Sequence, residues 1–211
     1  NAGQYSKVFS LSHTDPYITI DGVSRTVSAT FRSITQFTQA SSDFETETGT
    51  LAVDYGWPIS EFQSLRLGLA AQRSDLVTDP NGSAREAVEW VRNNGNPYVE
   101  SASYGMPPIS YDFYGTKFDT YSLSVGWGFD SRNRGIFADR GARHRLNVGY
   151  TLPFSDVEFY TFNYDYLQFL PISRWFTLLN SLDIAYGFDI GDTTSIPPYR
   201  RFFAGGPETV R

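Results

Sequence analysis

Cysteine is absent from this 211-residue chain, and methionine and histidine nearly so, at one and two residues. Without thiols there is no disulfide framework, no thiolate zinc site and no cysteine nucleophile. The two histidines, His13 and His144, stand far apart in sequence and give no support to a metal cluster. Charge is scarce too. Only 19% of residues are charged, and 17 basic against 23 acidic side chains leave a net −6. With a pI near 4.9, nothing supplies the basic field that nucleic acid requires. Mean hydropathy is −0.33, and no apolar run approaches the ~18 residues of a membrane helix. Neither a G-x-S-x-G elbow nor a phosphate-binding glycine loop occurs. Helical membrane proteins are excluded. Membrane barrels are not, because alternation hides their hydrophobicity.

Aromatic residues are abundant: 17 Phe, 14 Tyr and 4 Trp make up 17% of the chain. A sequence so rich in rings and poor in charge is not a disordered tail, and its length is ample for a core. Period-two alternation predicts strands at residues 4–13, 23–36, 48–57, 64–74, 119–130, 143–152, 159–168 and 176–188, eight in all. Residues 119–130 are the cleanest: Tyr121, Leu123, Val125, Trp127 and Phe129 alternate with Thr120, Ser122, Ser124, Gly126, Gly128 and Asp130. The apolar face often carries rings at strand ends, such as Tyr55 with Trp57 and Tyr186 with Phe188. The opposite face is small or charged, with Asp54, Arg66, Asp165 and Asp183 inside strands. A lipid-facing band with aromatic girdles around a wet lumen predicts this arrangement; a dry sandwich core leaves the girdles unexplained.

Connection lengths support the same architecture. Residues 37–47, 75–117 and 189–211 are long and polar, and all fall on one side of an antiparallel meander. Asp15–Gly22, Pro58–Glu61 and Leu170–Arg174 are tight turns on the other. Two connections, 153–157 and 131–142, depart from the rule of short turns at one end and long loops at the other. Inside the 75–117 loop a short helix is predicted, with Ser83 as cap, Glu86 three residues on, and a stripe of Ala84, Ala87, Val88 and Val91 ending at Asn94-Gly95. Its ordinary role is a surface helix packing the loop onto the barrel.

Sites of chemistry are few. His144 and Asp165 are the one pair a barrel lipase or protease could use as a dyad, although a place near strand ends fits both histidines better. Arg132, Arg134, Arg140, Arg143 and Arg145 cluster around the 131–142 turn. A solvated turn is the ordinary reading; contact with the acidic surface of a periplasmic partner ranks second. Asn81-Gly82-Ser83 matches a glycosylation pattern, taken as chance.

Three stretches resemble a known family: HTDPYITIDGVSR (13–25), DSRNRGIFADRGARHRLNVGY (130–150) and RRFFAGGPETVR (200–211). Together they are similar to the BamA family, the outer-membrane β-barrel assembly factors of the POTRA-barrel superfamily. The last stretch looks like the start of that superfamily's loop motif, Gly-Gly followed by V-R-G and an aromatic. The resemblance covers essentially the whole chain, 1–211, and implies part of a transmembrane β-barrel, with POTRA domains, first strands and C-terminal strands outside it. It also implies residence in the bacterial outer membrane, non-enzymatic folding and insertion of barrel proteins, and no cofactor. The implied partners are phospholipid and lipopolysaccharide, unfolded outer-membrane clients and accessory lipoproteins, but no nucleic acid. Gly205, Gly206, Val210 and Arg211 fall on the motif, and the family's loop folds into the lumen, where its arginine meets carboxylates. A rigid, permanently charged guanidinium suits such pairing, and the glycines suit a tight backbone. TamA-type or two-partner-secretion transporters, a barrel hydrolase and a glycan-binding sandwich remain the alternatives.

Overall fold

A computed structural model describes residues 5–36, 44–79, 81–104 and 109–200. Its strands are β1 (Tyr5–Asp15), β2 (Ser24–Gln36), β3 (Phe44–Ser60), β4 (Gln63–Thr78), β5 (Asn96–Tyr104), β6 (Ile109–Asp130), β7 (Gly141–Thr151), β8 (Phe159–Pro171) and β9 (Thr177–Asp189). A helix, α1 (Arg85–Asn93), precedes β5, and a single 3-10 turn (Pro198–Arg200) follows β9. Eight strands form one open antiparallel meander in the order β1-β2-β3-β4-β6-β7-β8-β9, while β5 pairs with β6 alone. The eight predicted strands are thus the eight of the meander. The ninth, β5, lies inside the stretch read from sequence as loop, where β4 and β6 also extend beyond their predicted ends.

Register carries each face around the sheet. Trp57 lies opposite Leu65, Leu65 opposite Trp127, Trp127 opposite Leu146, Leu146 opposite Tyr164 and Tyr164 opposite Ile184. Residues directly opposite in a ladder point to the same side, so this is one continuous apolar row. A ring row near the other end joins Tyr150 to Tyr160 and Tyr160 to Phe188. That row continues through Leu123, Leu69 and Val53, and between the two rows lies Val125 with Val148 and Phe162. From Tyr121 to Phe129 is about 27 Å along the strand at ~3.4 Å per residue, or about 20 Å in height at the ~40° tilt of barrel strands. None of the residues named in these rows is buried, and Leu69, Val125, Val148 and Ile184 are exposed. A protein in water would not leave so continuous an apolar surface open; one in lipid must.

The inner face is built differently. Gly56, Arg66, Gly126, Asn147, Asn163 and Ala185 make one row. Gly68 is crowded from both sides: a Cβ there would collide with the side-chain oxygens of Asp54 and Ser124. Arg143 crosses diagonally to Asp165, Nη2 to Oδ1 at 2.9 Å. The buried core of the described residues is small and sits at one end, on this inner face: Leu76, Trp90, Val91, Phe118 and Val157.

The face assignment is testable by substitution. In bilayer-reconstituted protein, Val125→Arg on the apolar face should cost about 2–4 kcal/mol in urea unfolding. Its neighbour Ser124→Arg, on the inner face beside Asp54, should cost less than about half of that. Equal costs would show that the faces are misassigned.

Candidate functional site

The long-loop end is closed by two segments that are distant in sequence. β4 and β6 project past the apolar band and turn Leu76 and Phe118 onto the inner face, where both are fully buried. On them α1 lays Ala87, Trp90 and Val91. Trp90 meets Phe118 edge-on at 5.5 Å between centroids, and Tyr199 stacks on the same ring at 6.4 Å. Arg92 lies 3.9 Å over the Tyr114 ring. The helix thus packs the loop onto the barrel as predicted, and its buried face supplies Trp90 and Val91 to the core. Its cap differs: Ala84 occupies the N-cap without a side-chain bond, while the Ser83 hydroxyl accepts from the Asp79 amide at 2.9 Å. Gly95 ends the helix at φ +68°, with Thr116, Lys117 and Phe118 so near that a Cβ would collide.

Polar contacts bind the segment after β9 to this helix. The Trp90 indole donates to the Ser195 carbonyl at 2.7 Å. Asn94 works in both directions: its amide nitrogen donates to Thr194 Oγ1 at 2.7 Å, and its side-chain oxygen accepts from the Thr194 amide at 2.9 Å. The Thr116 hydroxyl donates to the Asn94 carbonyl at 2.5 Å. Further along, Arg200 Nη2 donates to Gln72 Oε1 at 3.3 Å, and burial raises the Tyr199 phenol above its ordinary pKa. The sequence reading missed Trp90, which sits three residues after Ala87 and one before Val91, in register with the predicted stripe.

At the short-turn end the basic cluster divides. Arg132 is tied to Asp130 by two bonds, at 2.8 and 2.7 Å, and also reaches the Gly135 carbonyl. Arg143 is used by Asp165, whereas Arg134, Arg140 and Arg145 are exposed. The turn itself is tightly built. Asn133 donates to Asp139 and accepts from the Asp139 and Arg140 amides, and Gly141, at φ +101°, leaves no room for a Cβ against the Ser131 carbonyl. This order explains why a long connection sits among short turns: its length is folded into local structure.

His144 and Asp165 do not meet as a dyad. His144 points outward, with a ring nitrogen 2.8 Å from the Tyr164 hydroxyl and its ring among Trp127, Phe129 and Tyr166. Asp165 lies on the inner face, because alternate residues of a strand take opposite sides. Among the described residues no cluster of three or more metal-ligating side chains occurs. Gly205, Gly206, Val210 and Arg211 lie outside the described residues.

A meander with an apolar girdled exterior, a small and polar interior, short turns at one end and a folded cap at the other defines a transmembrane antiparallel β-barrel. The sequence matches the Omp85 superfamily domain over residues 1–211, and the chain belongs to that superfamily. It is 26% identical over 204 residues to the outer membrane protein assembly factor BamA of Neisseria meningitidis serogroup B, covering 96% of this chain and 24% of that protein. The structure is similar to the crystal structure of BamA from Haemophilus ducreyi lacking POTRA domains 1–3. The TM-score is 0.79 at 25% identity, covering 98% of this chain and 37% of the other. The chain thus spans about a quarter of its curated relative, and it is a BamA-like barrel segment of the Gram-negative outer membrane. In such barrels short turns face the periplasm and long loops the exterior.

The cap should behave as one unit. Trp90→Ala removes its central ring, and Phe/Trp→Ala changes in cores typically cost about 3–5 kcal/mol. Limited proteolysis of the reconstituted protein should then open residues 79–95 and 190–200 together. Cleavage confined to the first segment would show the two to be independent.

Proposed function

We propose that this chain supplies barrel strands to a machine that folds and inserts β-barrel proteins into the outer membrane. The observation that carries the reading is the likeness to BamA in both sequence and structure across nearly the whole chain. The physics of such a machine is edge pairing, at a seam the family forms from strands outside this chain. Barrel strands in hydrocarbon must pair every backbone group, so an insertase works by lending hydrogen bonds to an incoming strand. Such work needs no covalent step, so we assign no catalytic residue and no cofactor. Unfolded barrel clients, outer-membrane lipids and accessory lipoproteins are the partners this reading implies.

Within it, Arg211 is read as the motif arginine, and Gly205, Gly206 and Val210 as motif positions, of a loop that in the family enters the lumen. Arg200 supports that placement, since its bond to Gln72 holds the start of this stretch at the inner face. The test is catalysed folding. The full protein, folded in liposomes with its accessory proteins, should speed the folding of an unfolded porin severalfold over empty liposomes, and Arg211→Ala should remove most of that gain. No acceleration from folded, correctly oriented protein would favour a TamA-like or two-partner-secretion transporter.

A further inference from the structure

The short-turn end exposes more apolar surface than a rim standing in water should. Each of its four turns displays a large apolar side chain: Ile20, Phe62, Phe137 and Trp175. Phe137 is 90% exposed and Trp175 88%. Two neighbouring turns, 131–140 and 172–176, combine such residues with arginine. The first carries Arg134, Ile136, Phe137 and Arg140; the second carries Ile172, Arg174 and Trp175. None of the described ion pairs uses Arg134, Arg140 or Arg174, in contrast to Arg132 and Arg143.

Both turns hold these groups outward by backbone structure. In the first, the Ser131 amide donates to the Ala142 carbonyl and the Asn133 amide to the Arg140 carbonyl, while Phe137 takes a left-handed φ of +54°. In the second, the amides of Ile172 and Ser173 both donate to the Phe176 carbonyl, and the Trp175 amide donates to Ser173 Oγ. An apolar side chain on a rigid turn cannot fold back to hide, so its environment must be apolar already.

Depth identifies that environment. On β8 and β9 the outer rows run from Tyr160 with Phe188 down to Leu170 with Leu178, just before the turn. Ten residues are about 33 Å along the strand, or about 25 Å in height at ~40° tilt, which is the height of a barrel's apolar band. The polar pair Gln168 and Asn180 lies one step above, at the lower edge of the hydrocarbon. The turn therefore stands at the level of the headgroups. Tryptophan suits that layer because its body is apolar and its N–H polar. Arginine suits it because the stem lies in apolar surroundings while the guanidinium reaches phosphate in bidentate fashion.

We propose that the 131–140 and 172–176 turns form an interfacial anchor in the periplasmic leaflet. Ile136, Phe137, Ile172 and Trp175 enter the headgroup–acyl boundary, and Arg134, Arg140 and Arg174 hold the phosphates of anionic phospholipid. This rests on the barrel fold alone and not on the assembly reading. Anchored turns fix the height of β6 to β9 in the membrane, leaving the other turns to follow through the ladder.

The test places a fluorophore in the turn. The full protein carrying Ser173→Cys, labelled with NBD, is folded into phosphatidylcholine vesicles with and without phosphatidylglycerol, and folding is confirmed by heat-modifiable gel mobility. Expected are a blue-shifted emission, quenching by headgroup nitroxide lipids severalfold stronger than by aqueous iodide, and stronger lipid quenching when phosphatidylglycerol is present. Adding Trp175→Ser should reverse the preference towards iodide, and the R134Q/R140Q/R174Q variant should lose the phosphatidylglycerol increment. An iodide-accessible label in the parent overturns the proposal. So does a blue-shifted label that lipid nitroxides do not quench, which would place a protein over the turn. Equal quenching in both vesicle types overturns the assignment to anionic lipid. A label at Phe137→Cys repeats the measurement should the Ser173 variant fail to fold.

Discussion

Every backbone N–H and C=O of a strand in hydrocarbon needs a partner, and no water is present to supply one. That constraint joins all eight meander strands into a single ladder and decides the faces at the same time. Once Trp127 is paired with Leu65 and Leu146, the orientation of every other residue on those strands is set by the two-residue period. A slip of one residue would turn Arg66 and Asp165 into lipid, so register is strongly specified. Where β7 ends at Thr151 the pairing is continued by other means. The Leu152 amide donates to the Tyr121 carbonyl, the Asp156 amide to the Asp119 carbonyl, and Asp156 and Ser155 accept from the Asp119 and Tyr121 amides. The short connection 152–158 thus acts as a surrogate strand for β6. Among the described residues β1 and β9 are the ends of this ladder.

Lipid also decides where the chain does not need a core. Within the membrane the apolar face has its partner in the acyl chains, and the inner face is kept small and polar. Above the membrane that partner is gone, and the chain must bury its own rings. The boundary is visible on the outer face of β4 and β6, where Ala71 with Tyr121 gives way to the Arg73–Asp119 pair at 2.6 Å and then to Asp75 with Lys117. The core of Leu76, Trp90, Val91, Phe118 and Val157 lies at this level and beyond. On the outer side of the same extension the Tyr98 ring lies across Gly115, its hydroxyl donating to Asp75 at 2.8 Å. An aromatic covering a cross-strand glycine is one way to keep a protruding ladder ordered.

Legibility in the sequence has the same division. The membrane strands could be read because lipid on one side and a wet lumen on the other enforce alternation over many residues. Above the bilayer nothing enforces it. Residues 109–118 place rings on both faces, Phe113 on one and Phe118 on the other, so the extension of β6 read as loop. β5 is short, contains Pro97 and sets Tyr98 beside Val99, which breaks the alternation. Its pairing is set by proximity to β6, which only the fold supplies. Trp90 was within reach, since it continues the helical stripe, but a helix assumed to lie on the surface gave no reason to look for its largest ring. The dyad of His144 and Asp165 fails on register: His144 is paired with Tyr166, so Asp165, one residue away, takes the opposite face. Arg134 and Arg140 could not be separated from Arg132 and Arg143 without coordinates, because the partners are Asp130 across two residues and Asp165 on the next strand.

The cap also directs the chain beyond β9. Residues 190–200 do not leave the barrel there but return across its open end, held by Glu158, Thr194 and Ser195 contacts and finally by Arg200 on Gln72. Gln72 belongs to the inner face and is one residue below Arg73, which marks the upper edge of the apolar band. The chain at Arg200 is therefore already inside the circumference of the sheet and close to membrane level. A surface loop starting from the tip of β9 would have to be pulled inward against its own solvation. A stretch starting at Arg200 begins at the mouth of the lumen, with ordering entropy already spent by the Asn94 and Trp90 contacts. The helix that packs the loop onto the barrel is thus also the support that sets this starting point.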